Sequence, residues 1–262
     1  MKILAVECSA APVSCALSED GKTVGEFYLN TAATHSQTLM PMIDGMLKNA
    51  GVRVSDIDLF AVAAGPGSFT GVRIGIAAVK GLAFGGNKPC CAVSTLEGIA
   101  FRFASFDCTV CACMDARCGQ IYNAVFEVLS GTVRRLCEDR AIAISVLVDE
   151  ICDGKYGSGL ILAGDGAAIT KAAIDKAAEE REAAGDTDAA GKLKSVRLAE
   201  ENLRYQSANG VAFAALMMYN RKNTVKADKL LPIYLRLPQA QRELNRRTAM
   251  SECSDRKADN DA

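Results

Sequence analysis

Residues 65–73 read Gly-Pro-Gly-Ser-Phe-Thr-Gly-Val-Arg and sit between two strongly apolar segments. The first, 59–64, reads as a buried strand, and the second, 74–84, reads as a helix. A strand, a glycine-rich turn and a helix in series belong to an α/β layer. The turn aims backbone N–H groups and the positive end of a helix dipole at one point, which suits a phosphate or another anion. Glycines also close such a turn with no ligand at all. The spacing is neither the dinucleotide fingerprint nor the P-loop, because no Gly-Lys-Ser/Thr follows.

The chain has 262 residues, half of them apolar, enough for one large domain or two ordinary ones. A net charge of −1 argues against nucleic-acid binding by bulk charge alone. The N-terminus meets charge at Glu7, too early for a signal peptide, and no apolar run approaches a membrane span. The expectation is a soluble, cytoplasmic protein with no membrane partner. Eleven cysteines occur, several inside apolar runs (Cys8, Cys15, Cys90, Cys91), where a free thiol acts as a small hydrophobe. One count excludes more than the rest: His35 is the single histidine. Every metal site that needs two histidines is thereby ruled out, the His-Glu-x-x-His hydrolases included. A Ser-His-Asp triad would have to pass through His35.

Segments 2–6, 13–17 and 23–29 read as three short strands separated by small and turn residues. Segment 36–50 reads as an amphipathic helix with Leu39, Ile43, Met46 and Leu47 at helical spacing, and Pro41 is expected in or near its first turn. A strand at 90–93 and a helix at 95–103 follow the 74–84 helix. The same order then recurs loosely: strands at 109–115, 120–128 and 132–144, a helix at 145–151, a strand at 160–163 and a helix from 167. Segment 179–194 reads as an exposed loop, 203–220 as a long helix and 231–237 as extended. The reading therefore gives an α/β fold with mixed sheets. It divides into a first lobe at 1–106, a second at 107–225, a segment at 226–250 packing back and a disordered tail at 251–262. A duplicated strand-strand-strand-helix-strand-helix unit is the logic of actin-like ATPases and sugar kinases.

Segment 74–84 carries Lys80 as its one charge in three turns. Placing Ile74, Ala78 and Gly81 on the sheet leaves Val72, Ile76, Val79 and Ala83 on an outer face, an apolar stripe that marks a partner surface. On the 36–50 helix, Met40 and Met42 lie off the main stripe. Two neighbouring helices with spare apolar faces suggest an interface, with His35, Leu39, Met42, Met46, Val72, Arg73, Ile76, Val79, Lys80 and Ala83 as its residues. Arg73 reads as a structural brace or as an interface or anion contact.

Other candidates are weighed on local grounds. Cys108, Cys111, Cys113 and Cys118 cluster, but Cys111 and Cys113 share one face of a strand and read as buried small residues. Glu7 ends the first strand, where actin-like ATPases place an aspartate that works with magnesium; it reads as a solvated carboxylate. Gly164-Asp165-Gly166 sits between a strand and a helix, so Asp165 reads as a helix cap or as an approach to a nucleotide. Arg134, Arg135, Lys226, Lys229, Arg236, Arg242, Arg246 and Arg247 form local basic clusters, read as solvated faces or a modest nucleic-acid footprint.

Six stretches together resemble the TsaB (YeaZ) family: ILAVECSAAPVSCAL, ATHSQTLMPMI, AAGPGSFTGVRIGIAAVKGLA, VSTLEGIA, MDARCGQIY and LPIYLR. They span nearly the whole chain up to Arg236, and the loop and LPIYLR are the specific ones. The resemblance implies an actin-like (ASKHA, RNase H-like) fold of two lobes. It implies a heterodimer with TsaD, joined by TsaE and ATP, that transfers a threonylcarbamoyl group to N6 of the tRNA adenosine next to the anticodon. In that family the catalytic metal site uses a His-x-x-x-His motif and belongs to TsaD, so this chain reads as the non-catalytic scaffold. It is expected to hold no cofactor or metal of its own, with ATP or ADP at the complex interface and a homodimer as an option for the isolated chain. Glu7-Cys8-Ser9 replaces the more usual Asp-Thr-Ser, and Gln120 stands where Glu is more typical. The alternative reading is an actin-like ATPase or small-molecule kinase that uses Gly67, Ser68, Gly164, Asp165 and Gly166 around ATP.

Overall fold

The computed structural model describes residues 1–31 and 33–236. Period-two burial builds the first sheet. In β1 (Lys2–Glu7), Ile3 and Ala5 face one core while Leu4 and Val6 face another. β1 pairs antiparallel with β2 (Val13–Glu19), which pairs with the edge strand β3 (Lys22–Leu29). On its other side β1 pairs parallel with β4 (Leu59–Gly65), which pairs parallel with β5 (Cys90–Ser94). Strand β4 is buried from end to end, as a strand covered on both faces must be.

Helices α1 (His35–Ala50) and α2 (Phe69–Phe84) cover one face of this sheet. Pro41 falls in the second turn of α1 rather than the first, on its exposed side. Its missing N–H leaves only a carbonyl that water reaches. Helix α2 begins five residues before 74, because the Ser68 hydroxyl accepts the Gly71 N–H at 3.2 Å and caps it there.

The second lobe repeats the plan. β6 (Cys108–Asp115) pairs with β7 (Gln120–Leu129), while β10 (Ile161–Ala163) and β11 (Arg197–Leu198) lie parallel to β6. Segment 132–144 is two strands, not one: β8 (Thr132–Arg135) pairs with the second half of β7 and β9 (Arg140–Ala143) with its first half. The outer layer is α4 (Ile144–Cys152), α5 (Ala167–Ala183) and α6 (Thr187–Lys194). The 179–194 stretch is therefore helical. Its Ala, Glu, Lys and Arg are strong helix formers, and Asp186 caps α6 by accepting the Ala189 N–H at 3.1 Å.

The lobes exchange a helix. α3 (Thr95–Phe101) leaves the first lobe to pack on β6 and β7, burying Leu96 and Ile99 beside Val110 and Phe126. α8 (Ala208–Asn220) returns from the second lobe to the inner face of the first sheet, burying Val211 and Ala215 beside Ile3, Leu59 and Val93. The expected 203–220 helix is broken: α7 (Glu201–Arg204) ends before an extended passage, and Ser207 caps α8. A Cβ on Gly210 would lie 2.1 Å from the Gly98 carbonyl oxygen, so glycine lets α3 and α8 cross in backbone contact.

Residues 226–236 run back over the first lobe, with Ala227 and Leu230 buried in the α1–α2 core. The tail at 251–262, Leu237, and Arg242, Arg246 and Arg247 lie outside the described residues. No helix among the described residues is long and apolar enough to cross a membrane.

Candidate functional site

The C-terminal ends of β1, β4, β6 and β10 converge on a cleft between the lobes, with a cavity of about 580 Å³. One wall is the 65–68 turn, the other the Asp115–Arg117 hairpin and Asp165, and the rim is Ile233–Arg236. This is the crevice outside the carboxyl ends of the strands where open α/β sheets bind ligands.

The glycines of the turns permit close backbone contact. A Cβ on Gly67 would sit 2.5 Å from the Ser9 carbonyl oxygen, and one on Gly71 2.0 Å from that of Cys8. In the second lobe, a Cβ on Gly164 would sit 2.1 Å from the Cys113 carbonyl oxygen, and one on Gly166 2.6 Å from Met114. The N–H groups follow the same logic: Ser68 donates to Ser9 at 2.6 Å, Gly166 to Cys113 at 3.0 Å and Gly164 to Arg204 at 2.5 Å. These three donors are bonded to the protein rather than open to a phosphate.

Carboxyl groups add to this. Glu7 is not solvated; it is 1% exposed, and its Oε1 accepts the Ser9 N–H at 2.5 Å. Burial pushes its pKa up to about 7, hydrogen bonds from Ser9 oppose the shift, and the charge of Asp165 adds to it. Asp165 does not cap α5. Gly166 holds the cap position, and Asp165 Oδ1 accepts Gln206 Nε2 at 2.7 Å instead, brought there by the extended break before α8. Burial pushes Asp165 up to about 6, partly offset by that bond. The N–H groups of Ser68, Gly164 and Gly166 are thus engaged, and two carboxyls, those of Glu7 and Asp165, stand close by. Among the described residues, no group of three or more His, Cys, Asp or Glu side chains could hold a metal.

The glycine loop and the Leu231–Arg236 segment touch directly. Ile233 donates its N–H to the Ala64 carbonyl at 2.7 Å, and a Cβ on Gly65 would lie 2.3 Å from the Ile233 carbonyl oxygen. Tyr234 stacks on Phe69 with ring centroids 4.4 Å apart and accepts a hydrogen bond from Arg73 Nε at 2.9 Å. The Arg73 guanidinium lies 3.9 Å from the Phe69 ring centroid. Arg236 reaches the other lobe and donates to the Ala116 carbonyl at 2.7 Å. His35 starts α1, and its Nε2–H donates to the Ala11 carbonyl at 3.1 Å.

The face of α2 is the reverse of the sequence expectation, while the Leu39, Ile43, Met46 and Leu47 stripe of α1 is buried as its spacing predicts, so the apolar interface residues named on both helices are not at the surface. Val72, Ile76, Val79 and Ala83 lie in the core, and so do Leu39, Met42 and Met46. Only Met40 of the two off-stripe methionines is exposed. Small residues at Gly71 and Gly75 seat α2 close to β1 and β4, and this turns the Val72–Val79 side inward. The outward face instead carries Thr70, Arg73, Ile74, Ala77, Ala78, Gly81 and Phe84, the last 75% exposed. It is still apolar, and Lys80 lies at its side.

Gln206 escaped the sequence reading, and Ser9, Asp115 and Arg117 entered it only within quoted stretches, with no role of their own. Their strand-end and loop positions carry no periodic signal, and only the fold assembles them.

Two strand-strand-strand-helix-strand-helix lobes that exchange helices around a central cleft define an actin-like α/β protein. Residues 29–243 match the family described as TsaD: tRNA N6-adenosine threonylcarbamoyltransferase. The tRNA threonylcarbamoyladenosine biosynthesis protein TsaB of Bacillus subtilis is 32% identical over 145 residues, 55% of this chain and 63% of that protein. That of Escherichia coli is 40% identical over 129 residues, 48% of this chain and 55% of that protein. The chain thus spans under two thirds of these relatives in alignment. YeaZ from Pseudomonas aeruginosa superposes with a TM-score of 0.68 at 27% identity, over 89% of this chain and 99% of that one. The chain belongs to the TsaD family, and within it to the TsaB (YeaZ) group.

Proposed function

We propose that this chain works in tRNA modification as a non-catalytic subunit, docking a TsaD-type protein through the outward face of α2 together with the exposed side of α1. The partner then transfers the threonylcarbamoyl group to N6 of the adenosine next to the anticodon. The observation that carries the reading is the apolar outer face of α2. Ala77, Gly81 and Phe84 are exposed and Ile74 and Ala78 half-buried beside them, a stripe over which no sheet or α-helix of the described residues is laid, and Met40 is exposed on α1. Small residues there allow a partner helix to approach closely.

The cleft supports the non-catalytic part. The N–H groups of Ser68, Gly164 and Gly166 are bonded to the protein, and the single histidine is tied to the Ala11 carbonyl. A nucleotide in the assembly is then held with the partner and a TsaE-type protein at the shared interface. The isolated chain pairs with a second copy through the same face.

The purified chain is expected to co-elute with a TsaD protein and to raise threonylcarbamoyl transfer to tRNA, while transferring none by itself. Transfer by the chain alone, or a TsaD activity indifferent to it, contradicts the proposal.

A further inference from the structure

Of the basic residues the sequence singles out, several have internal partners. Arg134 pairs with Glu127, Arg135 with Glu97 and Asp139, and Arg236 with the Ala116 carbonyl. Lys226 and Lys229 are different. The antiparallel bridge between Cys90 and Val225 lays Lys226 alongside the chain that carries Lys88. Lys80 Nζ reaches the Asp228 carbonyl at 3.4 Å and so joins Lys229 from α2. Lys222 stands at the start of the same stretch, and Lys222, Lys226 and Lys229 are all exposed.

Acid does little to balance this ridge. Asp228 reaches Lys229 at 4.0 Å. Asp58, just before β4, is bound to the Lys2 N–H at 2.8 Å. Among the described residues, Lys80, Lys88, Lys222 and Lys226 have no carboxylate within 4.0 Å, a distance at which Lys229 just meets Asp228. The C-terminal dipoles of α2 and α8 favour cations at Lys88 and Lys222. No α-helix end explains Lys226 or Lys229, which flank a short 3-10 turn at Ala227–Lys229. On a chain of net charge −1, such a local excess is a footprint for a polyanion.

We propose that Lys80, Lys88, Lys222, Lys226 and Lys229 hold the phosphate backbone of RNA. The inference rests on the tRNA reading above and adds a surface to it. Through Lys80 the ridge borders the outer face of α2, so RNA lying on the partner can continue onto this chain.

The test measures fluorescence anisotropy of a labelled tRNA transcript with the full chain from 50 to 300 mM salt (a range of roughly the span over which phosphate contacts are titrated). The triple variant Lys222→Glu/Lys226→Glu/Lys229→Glu is measured beside it, with thermal melting and co-elution with TsaD as controls. The variant should keep its melting temperature and its partner, lose about tenfold or more in tRNA affinity, and show a log–log salt slope shallower by about 2–3. Unchanged affinity in the variant, no tRNA binding by the wild-type chain at low salt, or binding to phosphatidylserine vesicles in place of tRNA overturns the proposal. If the chain fails to stimulate TsaD yet the variant loses tRNA, the subunit reading falls and the ridge stands. The converse pattern removes the ridge alone.

Discussion

Helices α2 and α5 occupy corresponding places in the two lobes, each following the strand parallel to the lobe's first strand, yet they meet water differently. The exposed side of α5 is charged, with Lys171 paired to Asp175 and Lys176 to Glu180 at i,i+4. The corresponding side of α2 is Ile74, Ala77, Ala78 and Gly81. The fold is the same, so the fold does not require an apolar outer face. That difference supports the docking proposed for α2, with α5 as the internal control.

The close seating of α2 on its sheet carries the largest expected effect. Gly71→Ala forces a methyl to within 2.0 Å of the Cys8 carbonyl oxygen, against backbone that cannot move alone. It should cost more than about 3 kcal/mol in urea unfolding. A cost below about 1 kcal/mol would mean that α2 is not seated so close to β1.

The first lobe also holds the buried acid that sets a pH dependence. Glu7 has a folded pKa of about 7 against an ordinary 4.5, so the folded state binds the extra proton between these values. Its contribution is complete below pH 4.5 and is lost as pH rises through 7. Asp165, raised from 3.8 to about 6, acts with the same sign from the second lobe. Stability should therefore fall by about 3 kcal/mol between pH 5 and pH 8, and Glu7→Gln, which keeps an acceptor for the Ser9 N–H, should flatten most of that slope. Equal slopes in the two proteins would remove Glu7 as the cause.

A smaller effect separates the buried and exposed sides of the helices. Ile76, 6% exposed in α2, should cost about 2–3 kcal/mol on truncation to Ala. Ile169→Ala on α5, at 45% exposure, should stay within about 0.5 kcal/mol. Similar losses at both sites would erase the distinction between the faces.

How far the sequence reaches is clear from these same elements. The strands were legible because burial on two faces leaves unbroken apolar runs such as Leu59–Gly65, and because the strand-helix order repeats. The orientation of α2 was not legible. A helix apolar all round gives no moment to choose a side, and the deciding contacts are those of Gly71 and Gly75 with β1 and β4. The glycine loop was legible as a turn, but whether its N–H groups face a ligand or Ser9 depends on a distant loop. Asp165 sits where a capping residue belongs, yet Gln206 claims it from 41 positions away. The resemblance drew attention to both the loop and Leu231–Arg236, but only the fold brings Arg73 and Tyr234 together.

Docking on the outer face of α2 can be read out directly. Its most direct measurement is the affinity of the Ala77→Glu variant for a TsaD protein, by calorimetry, with a melting curve beside it. Ala77 is exposed, so the melting temperature should hold while association falls by about 100-fold or more, the cost of burying an unpaired charge. Wild-type affinity in a folded Ala77→Glu chain would mean that the partner does not dock on this face.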